Sequence, residues 1–318
     1  MIYPAKETFI HKAAQALQQG NVVAFPTETV YGLGANALNA EAVAKIFEIK
    51  QRPFFDPLIV HVDSRDMVKQ VVATLPDIAL RCMDAFWPGP LTLVLPKSNS
   101  IPEIVTAGLD TVAVRMPQHE VAQKLIQASG VPIAAPSANP FGYLSPTTAE
   151  HVARQLGDKV EIILDGGQCP VGVESTIIKI ERDNITLLRH GGIPVEDIES
   201  VAGKVNIIKH TQVEAPGQLP YHYAPKTKIV LIKDITNIPD DSSCAIILYK
   251  KRDLPFKNIH TMYLSDNGDM RQAAANLFTC LHALDAMKLA VIYAEEIPEV
   301  GLGQAIMDRL KKAQARHS

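Results

Sequence analysis

Four basic side chains lie where helices or strands are predicted to end: Lys50, Arg52, Arg115 and Arg189. Lys50 and Arg52 close a predicted helix, a position where basic residues commonly offset the helix dipole. A proline follows at once, so we expect Arg52 to leave the helix and point elsewhere. Arg115 ends the alternating stretch TVAVR, which places Thr111 and Arg115 on one face. A buried guanidinium needs an anionic partner, which is either a structural carboxylate or a ligand that carries a carboxylate or phosphate.

Hydroxyl groups and glycines follow several of the same predicted strands. The stretch AFPTETVYGLGAN (residues 24–36) leaves an apolar strand through two threonines and Glu28. We interpret it as a substrate-lining turn in which Gly32 and Gly34 permit close approach; a plain capped turn is the alternative. Ser137 and Asn139 of AAPSANP lie to one side of another strand end, and the glycine-rich segments DGG and GVEST supply a further serine, Ser175. Such groups at strand ends suit a small anionic ligand that carries phosphates.

Several common catalytic and binding motifs do not occur. The sequence contains no GxxxxGK[ST], HExxH or GxSxG, so nucleotide binding by a P-loop is excluded. The serines have no visible base partner, and we interpret them as hydrogen-bonding groups rather than nucleophiles. The four cysteines, at positions 82, 169, 244 and 280, form no CxxC pair, which favours buried thiols over a zinc site or a disulfide framework.

The elements that must position these groups alternate between helices and strands. Residues 8–19 predict a helix with Gly20 beyond its end, and Asn39 is the expected N-cap of the next helix. Further helices are predicted over 77–86, 120–129 and 147–156, and strands over 58–62, 91–95, 111–115, 132–135, 161–164, 175–180 and 185–188. The last two strands are close enough for an antiparallel hairpin. We therefore predict an α/β domain over 1–207 with a twisted mixed sheet and flanking helices.

The pattern breaks over 208–226, where three prolines and no apolar period indicate a linker. Beyond it, strands are predicted over 228–232, 244–249, 260–264 and 289–293, and helices over 270–286 and from about 303. These elements predict a small Rossmann-like α/β domain over 227–318, without a GxGxxG between a strand and a helix.

Composition and charge limit the classes of function that are compatible with the sequence. Hydrophobic residues make up 47% and charged residues 20% of the 318 residues, and no apolar run approaches the ~18 residues of a membrane span. Charged residues interrupt the N-terminus where a signal peptide needs an apolar core, so we expect a cytoplasmic protein. Residues 1–207 hold 17 Lys+Arg against 22 Asp+Glu, a net of −5, whereas residues 208–318 hold 14 against 12, a net of +2. This balance disfavours nucleic-acid binding as the main role.

The motifs as a set resemble a known family. PTETVYGLG, KQR, DPLIVHV, PGPLTLVL, VAVRMP, APSAN, SPTTAEHV and VESTII occur in the order and spacing of YrdC-type domains, over roughly residues 10–205. The linker motif HYAP and the closing GLGQAIMDRLKKA resemble the longer members, the two-domain threonylcarbamoyl-AMP synthases. That family makes L-threonylcarbamoyladenylate from L-threonine, bicarbonate and ATP with release of pyrophosphate, for modification of the tRNA adenosine next to the anticodon.

The resemblance also implies residue roles. The residues that it places around threonine are Thr29, His61, Arg115, Ala135 and Ser175, with Arg115 as the carboxylate clamp. Those that it places against ATP are Lys50, Arg52, Asp56, Thr111, Ser137, Ser145, Arg189 and the linker's Tyr223. The set expected to matter most for turnover is Lys50, Arg52, Ser137 and Asn139. Glu28 is expected to orient Lys50 or Arg52, and Mg²⁺ to be held by the triphosphate and water more than by protein carboxylates.

Partners and alternatives follow from the same resemblance. A separate transferase passes the threonylcarbamoyl group to tRNA, so we expect tRNA to bind weakly or indirectly. We expect the linker to act as a lid over the ATP site, because HYAP is its only polar-aromatic cluster. One alternative is an RNA-binding or translation-factor module with a YrdC-like fold. Another is a carbamoyl-adenylate enzyme of hydrogenase maturation, but such enzymes carry acylphosphatase and zinc-finger segments that this sequence lacks.

Overall fold

The computed structural model describes residues 1–182, 184–208, 213–220, 222–236 and 238–316. Within them, helices surround two β-sheets of 11 and 4 strands, so the predicted α/β architecture with a large mixed sheet and a smaller C-terminal sheet is confirmed. Residues 209–212 and 221 of the predicted linker lie outside the described residues.

The large sheet contains β1 (Ile2–Pro4), β2 (Val23–Phe25), β3 (Gly32–Asn36), β4 (Ile59–His61), β5 (Leu91–Pro96), β6 (Thr111–Arg115), β7 (Ile133–Ala134), β8 (Ile162–Asp165), β9 (Thr176–Glu181), β10 (Asn184–Arg189) and β11 (Val205–Ile207). The helices of the same region are α1 (Glu7–Gln18), α2 (Ala40–Lys50), α3 (Arg65–Val71), α4 (Asp77–Phe86), α5 (Glu103–Thr106), α6 (Glu120–Ser129), α7 (Ala149–Leu156) and α8 (Val195–Ala202). After the linker come β12 (Lys228–Ile232), β13 (Cys244–Lys250), β14 (His260–Ser265), α9 (Met270–Ala286), β15 (Val291–Glu295) and α10 (Leu302–Ala315).

Strand directions in the large sheet are mixed, as predicted. The order is β1-β8-β2-β3-β7-β4-β6-β5-β9-β10-β11. β9 and β10 pair antiparallel, which confirms the expected hairpin, whereas β4 and β6 pair in parallel. The register of β4 with β6 sets His61 opposite Arg115. Two residues that are 54 positions apart in the chain (115 − 61) therefore lie side by side at one strand end.

The ends of α2 follow from local sequence. The Asn39 side chain accepts a hydrogen bond from the Ala42 amide, as expected of an N-cap. The helix ends at Lys50 because Gln51 adopts the left-handed conformation, with φ of 52°. Arg52 consequently leaves the helix axis, which confirms the prediction drawn from the Lys-x-Arg-Pro spacing.

The glycine pair of the 24–36 stretch lies in a strand rather than in a turn, and the expected role of Gly34 in close approach to a substrate is wrong. Gly32 and Gly34 belong to β3, which pairs with β2 on one side and β7 on the other. A Cβ on Gly34 would lie 2.7 Å from Ile133 Cγ2 and 2.7 Å from the Phe25 ring. Gly34 therefore makes room for neighbouring core side chains rather than for a ligand.

The small sheet is parallel throughout, with the order β12-β15-β13-β14. α9 and α10 pack with it around a second hydrophobic core. The large sheet ends at Ile207 and the small sheet begins at Lys228; the division into 1–207, 208–226 and 227–318 stays a prediction. All four cysteines are free and buried, as expected. Among the described residues, no helix combines the length and apolar character needed to cross a bilayer.

Candidate active site

One cavity, partly open to solvent, collects most of the predicted ligand residues. The predicted residues that line it are Thr29, Arg52, His61, Arg115, Ala135, Ser137, Ser175, Arg189 and Tyr223. All five residues expected around threonine belong to this group, as do four of those expected against ATP. Three guanidinium groups from three separate strand or helix ends thus converge on one space.

Besides Lys50, three predicted ATP residues lie away from the cavity wall. Asp56 is fully buried beside Arg52, and Arg52 Nη2 lies 2.9 Å from Asp56 Oδ2. Ser145 donates its hydroxyl to Glu174, whose side chain does line the cavity. Thr111 begins β6 and is paired with Pro96, at the far end of the strand from Arg115. The first two support lining residues, whereas Thr111 is not among the residues that line the cavity.

Lys50 and Asn139 lie behind Ser137 rather than on the wall. The Lys50 ammonium is 1% exposed and donates to the carbonyls of Ser137, at 2.5 Å, and of Asn139. The Asn139 amide donates to the carbonyls of Pro140 and Tyr143, each at 2.9 Å. Burial, and then the nearby Arg52, lower the pKa of Lys50 well below its usual value. Lys50 and Asn139 therefore fix the backbone of the loop that presents Ser137.

Arg115 is anchored by a buried carboxylate. Its Nη2 lies 2.6 Å from Glu28 Oε1, and both side chains are less than 5% exposed. Arg115 Nη1 donates to Thr29 Oγ1 at 2.9 Å, and Nε donates to the Gly89 carbonyl at 3.2 Å. The expectation that Glu28 orients Lys50 or Arg52 is wrong, because Glu28 lies against Arg115 and Arg52 takes Asp56 instead. The buried guanidinium of β6 does have the carboxylate partner that its burial requires.

His61 is held neutral beside this pair. Burial, together with the positive charge of Arg115, lowers the pKa of His61 to about 3. The ring packs edge-to-face on Phe25, with centroids 6.1 Å apart. A neutral imidazole next to a cation can accept or donate one hydrogen bond without adding charge to the site.

Arg189 differs from the other two cavity arginines. Arg52 and Arg115 each have a carboxylate partner, whereas no carboxylate of the described residues forms an ion pair with Arg189. Its guanidinium donates to the Ser175 carbonyl at 2.8 and 3.1 Å, to Ser175 Oγ at 3.1 Å and to the linker carbonyl of Pro216 at 3.1 Å. Arg189 is therefore the cavity guanidinium with the least compensated charge.

The described linker residues close one side of the cavity. Pro216, Gly217, His222 and Tyr223 all line it. Ala224 forms a β-bridge with Tyr143 of the first region, and its amide donates to the Gly142 carbonyl at 3.0 Å. Burial raises the pKa of Tyr223 to about 12, so its hydroxyl keeps its proton at neutral pH. The linker thus lies against the first region over the predicted ATP residues.

Two residues that sequence reasoning left without a role are central here. Glu174 lines the cavity, and its Oε2 accepts from Arg309 Nε of α10 at 2.9 Å. Arg309 is 1% exposed, and its guanidinium lies over the Tyr223 ring, 4.9 Å from the centroid. Both residues occur in motifs that carry the resemblance, VESTII and GLGQAIMDRLKKA, but nothing in either motif indicates that they form a pair.

Family comparisons cover nearly the whole chain. Residues 15–191 match a family model described as telomere recombination. Residues 193–315 match a model described as the threonylcarbamoyl-AMP synthase C-terminal domain.

Individual relatives are similar over most of their length. A threonylcarbamoyl-AMP synthase of Pyrococcus abyssi is 44% identical, over 97% of this chain and 94% of its own. One of Bacillus subtilis is 42% identical, over 96% and 92% respectively. The crystal structure of Pyrococcus abyssi Sua5 complexed with L-threonine superimposes with a TM-score of 0.91 at 42% identity, covering 99% of this chain and 98% of that one.

Proposed function

The chain belongs to the threonylcarbamoyl-AMP synthase family, and we propose that the cavity between its first region and its linker is where this enzyme assembles its product. The reaction joins L-threonine, bicarbonate and ATP into L-threonylcarbamoyladenylate and releases pyrophosphate. One observation supports this location of the active site: three arginines and two serines line the same cavity, namely Arg52, Arg115, Arg189, Ser137 and Ser175.

Threonine is assigned to the end of the cavity formed by β4 and β6. Arg115 is the carboxylate clamp, because its fork is held in place by Glu28 and Thr29. Neutral His61 and the hydroxyl of Ser175 are available for the polar groups of the amino acid, and small Ala135 leaves room for its side chain. The Pyrococcus abyssi Sua5 structure, which is complexed with L-threonine, supports an amino-acid site in this fold.

ATP is assigned to the side of the cavity that the linker closes. Arg52 and Arg189 neutralise phosphate charge there, and Ser137 supplies a hydroxyl from the loop that Lys50 and Asn139 hold. In the described structure, the Pro216 carbonyl accepts the hydrogen bond from Arg189 that a phosphate oxygen would take. Tyr223, which keeps its proton, covers the same region from the linker.

The chemistry requires positioning and charge neutralisation more than an activated nucleophile. The amine of threonine, once deprotonated, adds to the carbon of CO₂ and releases a proton to give a carbamate; from bicarbonate the same carbamate forms with loss of water. A carbamate oxygen then attacks the α-phosphorus of ATP, and the bond from that phosphorus to the bridging oxygen breaks as pyrophosphate leaves. Two anions must be held in contact, which buried and pre-oriented guanidinium groups achieve at low entropic cost.

Mg²⁺ is proposed to arrive with ATP and to reduce the charge of its triphosphate. The carboxylates near the cavity are Glu28, Asp56 and Glu174, and each already forms an ion pair with an arginine. The described residues include no cluster of three or more metal-binding side chains. We therefore assign the ion to phosphate oxygens and water, the usual arrangement for Mg²⁺ in nucleotide sites.

The product is a mixed anhydride that must be passed on, so we propose a transferase that receives the threonylcarbamoyl group for tRNA. Carbon-labelled bicarbonate tests the assignment of the reaction. With threonine and ATP present, mass spectrometry should find the label in an adenylate that also contains threonine. Formation of AMP or ADP without any labelled adenylate would refute the proposed reaction.

A further inference from the structure

We propose that Lys312 and Arg309 of α10 are positioning residues for this reaction, through which the second domain holds the linker over the first domain's cavity. The inference rests on the proposed site, because it explains how the wall on the ATP side is kept in place. It also assigns a purpose to the C-terminal domain, whose own sheet contributes no residue to the cavity lining.

One face of α10 is directed at the linker and its neighbours. Arg309, Lys312 and Arg316 are spaced i, i+3 and i+7, so they lie along one side of the helix. Lys312 Nζ donates to the Gly217 carbonyl at 2.7 Å. Arg316 donates to the Gly142 carbonyl at 3.1 Å, and its guanidinium lies 4.2 Å from the Tyr143 ring centroid. Three cations on one helix face thus contact either the linker itself or the loop at Gly142 and Tyr143, with which the linker pairs.

Arg309 is the buried member of this face. Besides Glu174, its guanidinium donates to the His190 carbonyl at 2.7 Å and to Asp308 at 2.9 Å. Its plane also lies over the ring of Tyr223. Because Arg309 is almost fully buried and paired with a cavity carboxylate, it fixes Glu174 and Tyr223 relative to each other. One residue of the second domain therefore connects a wall residue of the first domain with the linker.

Two successive linker carbonyls are held by residues of different domains. Arg189 of β10 holds the Pro216 carbonyl, and Lys312 of α10 holds the Gly217 carbonyl. If phosphate takes the Arg189 donor, the linker loses its hold from the first domain at Pro216. Lys312 and Arg309 do not line the cavity, so a ligand bound there does not compete for their donor groups. The second domain consequently retains the linker while ATP is bound.

Lys312→Met tests this inference against the matched neighbour variant Lys311→Met. Lys311 points to the exposed Glu299 instead, with Nζ 2.5 Å from Oε1. Amide hydrogen exchange is measured on the full chain without substrates, for peptides that cover residues 213–226. We expect Lys312→Met to speed exchange there by about tenfold, since about 1.4 kcal/mol of lost contact corresponds to a factor of ten. Equal exchange in Lys312→Met and Lys311→Met would overturn the proposal.

Kinetics separate positioning from general loss of stability. Lys312→Met should raise KM for ATP about tenfold and change kcat less than about twofold. A linker that is more often open lowers the fraction of enzyme molecules that can bind ATP. Lys312→Arg should restore KM, since arginine can still donate to the Gly217 carbonyl. A fall in kcat with unchanged KM, or no rescue by arginine, would contradict the proposal. The exchange measurement uses no substrate, so it tests the contact between α10 and the linker whether or not the proposed reaction is correct. Failure of this inference can therefore be distinguished from failure of the proposed function.

Discussion

His61 lies directly opposite Arg115 in the parallel pair of β4 and β6. A neutral ring and a fixed cation thus share one strand end, and Glu28 comes from the segment after β2 to hold that cation. Three distant stretches of sequence meet in this corner. Because the cation is already oriented, binding a carboxylate there costs little side-chain entropy.

Arg115→Lys is expected to affect threonine more than ATP. Lysine keeps the charge beside Glu28 but loses the planar fork that matches a carboxylate. We expect KM for threonine to rise by about tenfold or more, and KM for ATP to change less than about threefold. The size of the threonine effect follows from the usual free-energy contribution of a hydrogen bond to a charged group. Steady-state pyrophosphate release measures both. Arg65→Lys, in an exposed ion pair with Asp84, is the matched control. A larger effect on ATP would show that the division of the cavity is wrong.

Lys50→Met is expected to lower kcat by roughly 100-fold in a folded protein. The change leaves the carbonyls of Ser137 and Asn139 buried without their donor, at a cost of about 1–3 kcal/mol each, and the loop that carries Ser137 can then move. Turnover at saturating substrates is the measurement. Lys45→Met, on the same helix but bonded to the Gly20 carbonyl, should keep near-normal turnover. Normal kcat in Lys50→Met would show that turnover does not depend on Lys50 holding the loop that carries Ser137.

Arg189→Gln is expected to weaken ATP binding by about tenfold or more and threonine binding much less. Among the described residues, carboxylates pair with Arg52 and Arg115 but not with Arg189, so a ligand phosphate gains most from the charge of Arg189. Titration calorimetry with each substrate separates the two effects. Exposed Arg154→Gln serves as the charge-matched control. If threonine affinity falls more than ATP affinity, Arg189 belongs to the amino-acid side.

Acid is expected to destabilise the contact between α7 and α9. His151 stacks on His282 with centroids 3.9 Å apart, and burial lowers their pKa values to about 4 and about 3. Both values lie below the ordinary 6.5. As the pH falls below 6.5, these two histidines therefore bind more protons in the unfolded chain than in the folded one. Their contribution to stability is complete above pH 6.5 and declines towards the folded-state pKa values, by at most about 1.4 kcal/mol per pH unit and histidine.

His282→Gln tests this pH dependence. Glutamine can still donate to the Ser145 carbonyl, which His282 Nε2 contacts at 3.1 Å, but it does not titrate. Urea unfolding at pH 7 and at pH 5 should show a smaller loss of stability in this variant than in the parent. His11→Gln, at an exposed site on α1, should leave the loss unchanged. A parent protein equally stable at both pH values would be inconsistent with buried neutral histidines.

Local signals in the sequence were sufficient for most elements. The bounds of β6, α4, α6, α9 and β12 coincide with the predicted ones, because each has a clear apolar period and a distinct end. β1, α3, α8 and β11 were missed, since they are short and only pairing or packing with distant residues stabilises them. Gly34 was misassigned because a glycine in a strand cannot be told from one in a turn until its neighbours are known.

The site was predictable as a set of residues but not as a set of pairs. Motif resemblance identified Arg115, Ser137 and Arg189, all of which line the cavity. It did not identify which carboxylate meets which cation, because Glu28, Asp56 and Glu174 lie in similar polar segments. The contact of Glu174 with Arg309 spans 135 positions and two domains, and no local pattern encodes such a pairing.

Pyrophosphate release with each substrate omitted in turn tests the central claim most directly. The cavity is proposed to join threonine, a one-carbon acid and ATP in one reaction. Release should therefore depend on threonine and bicarbonate together, and should fall to background when either is left out. Pyrophosphate release that continues unchanged without threonine, or without bicarbonate, would contradict the account.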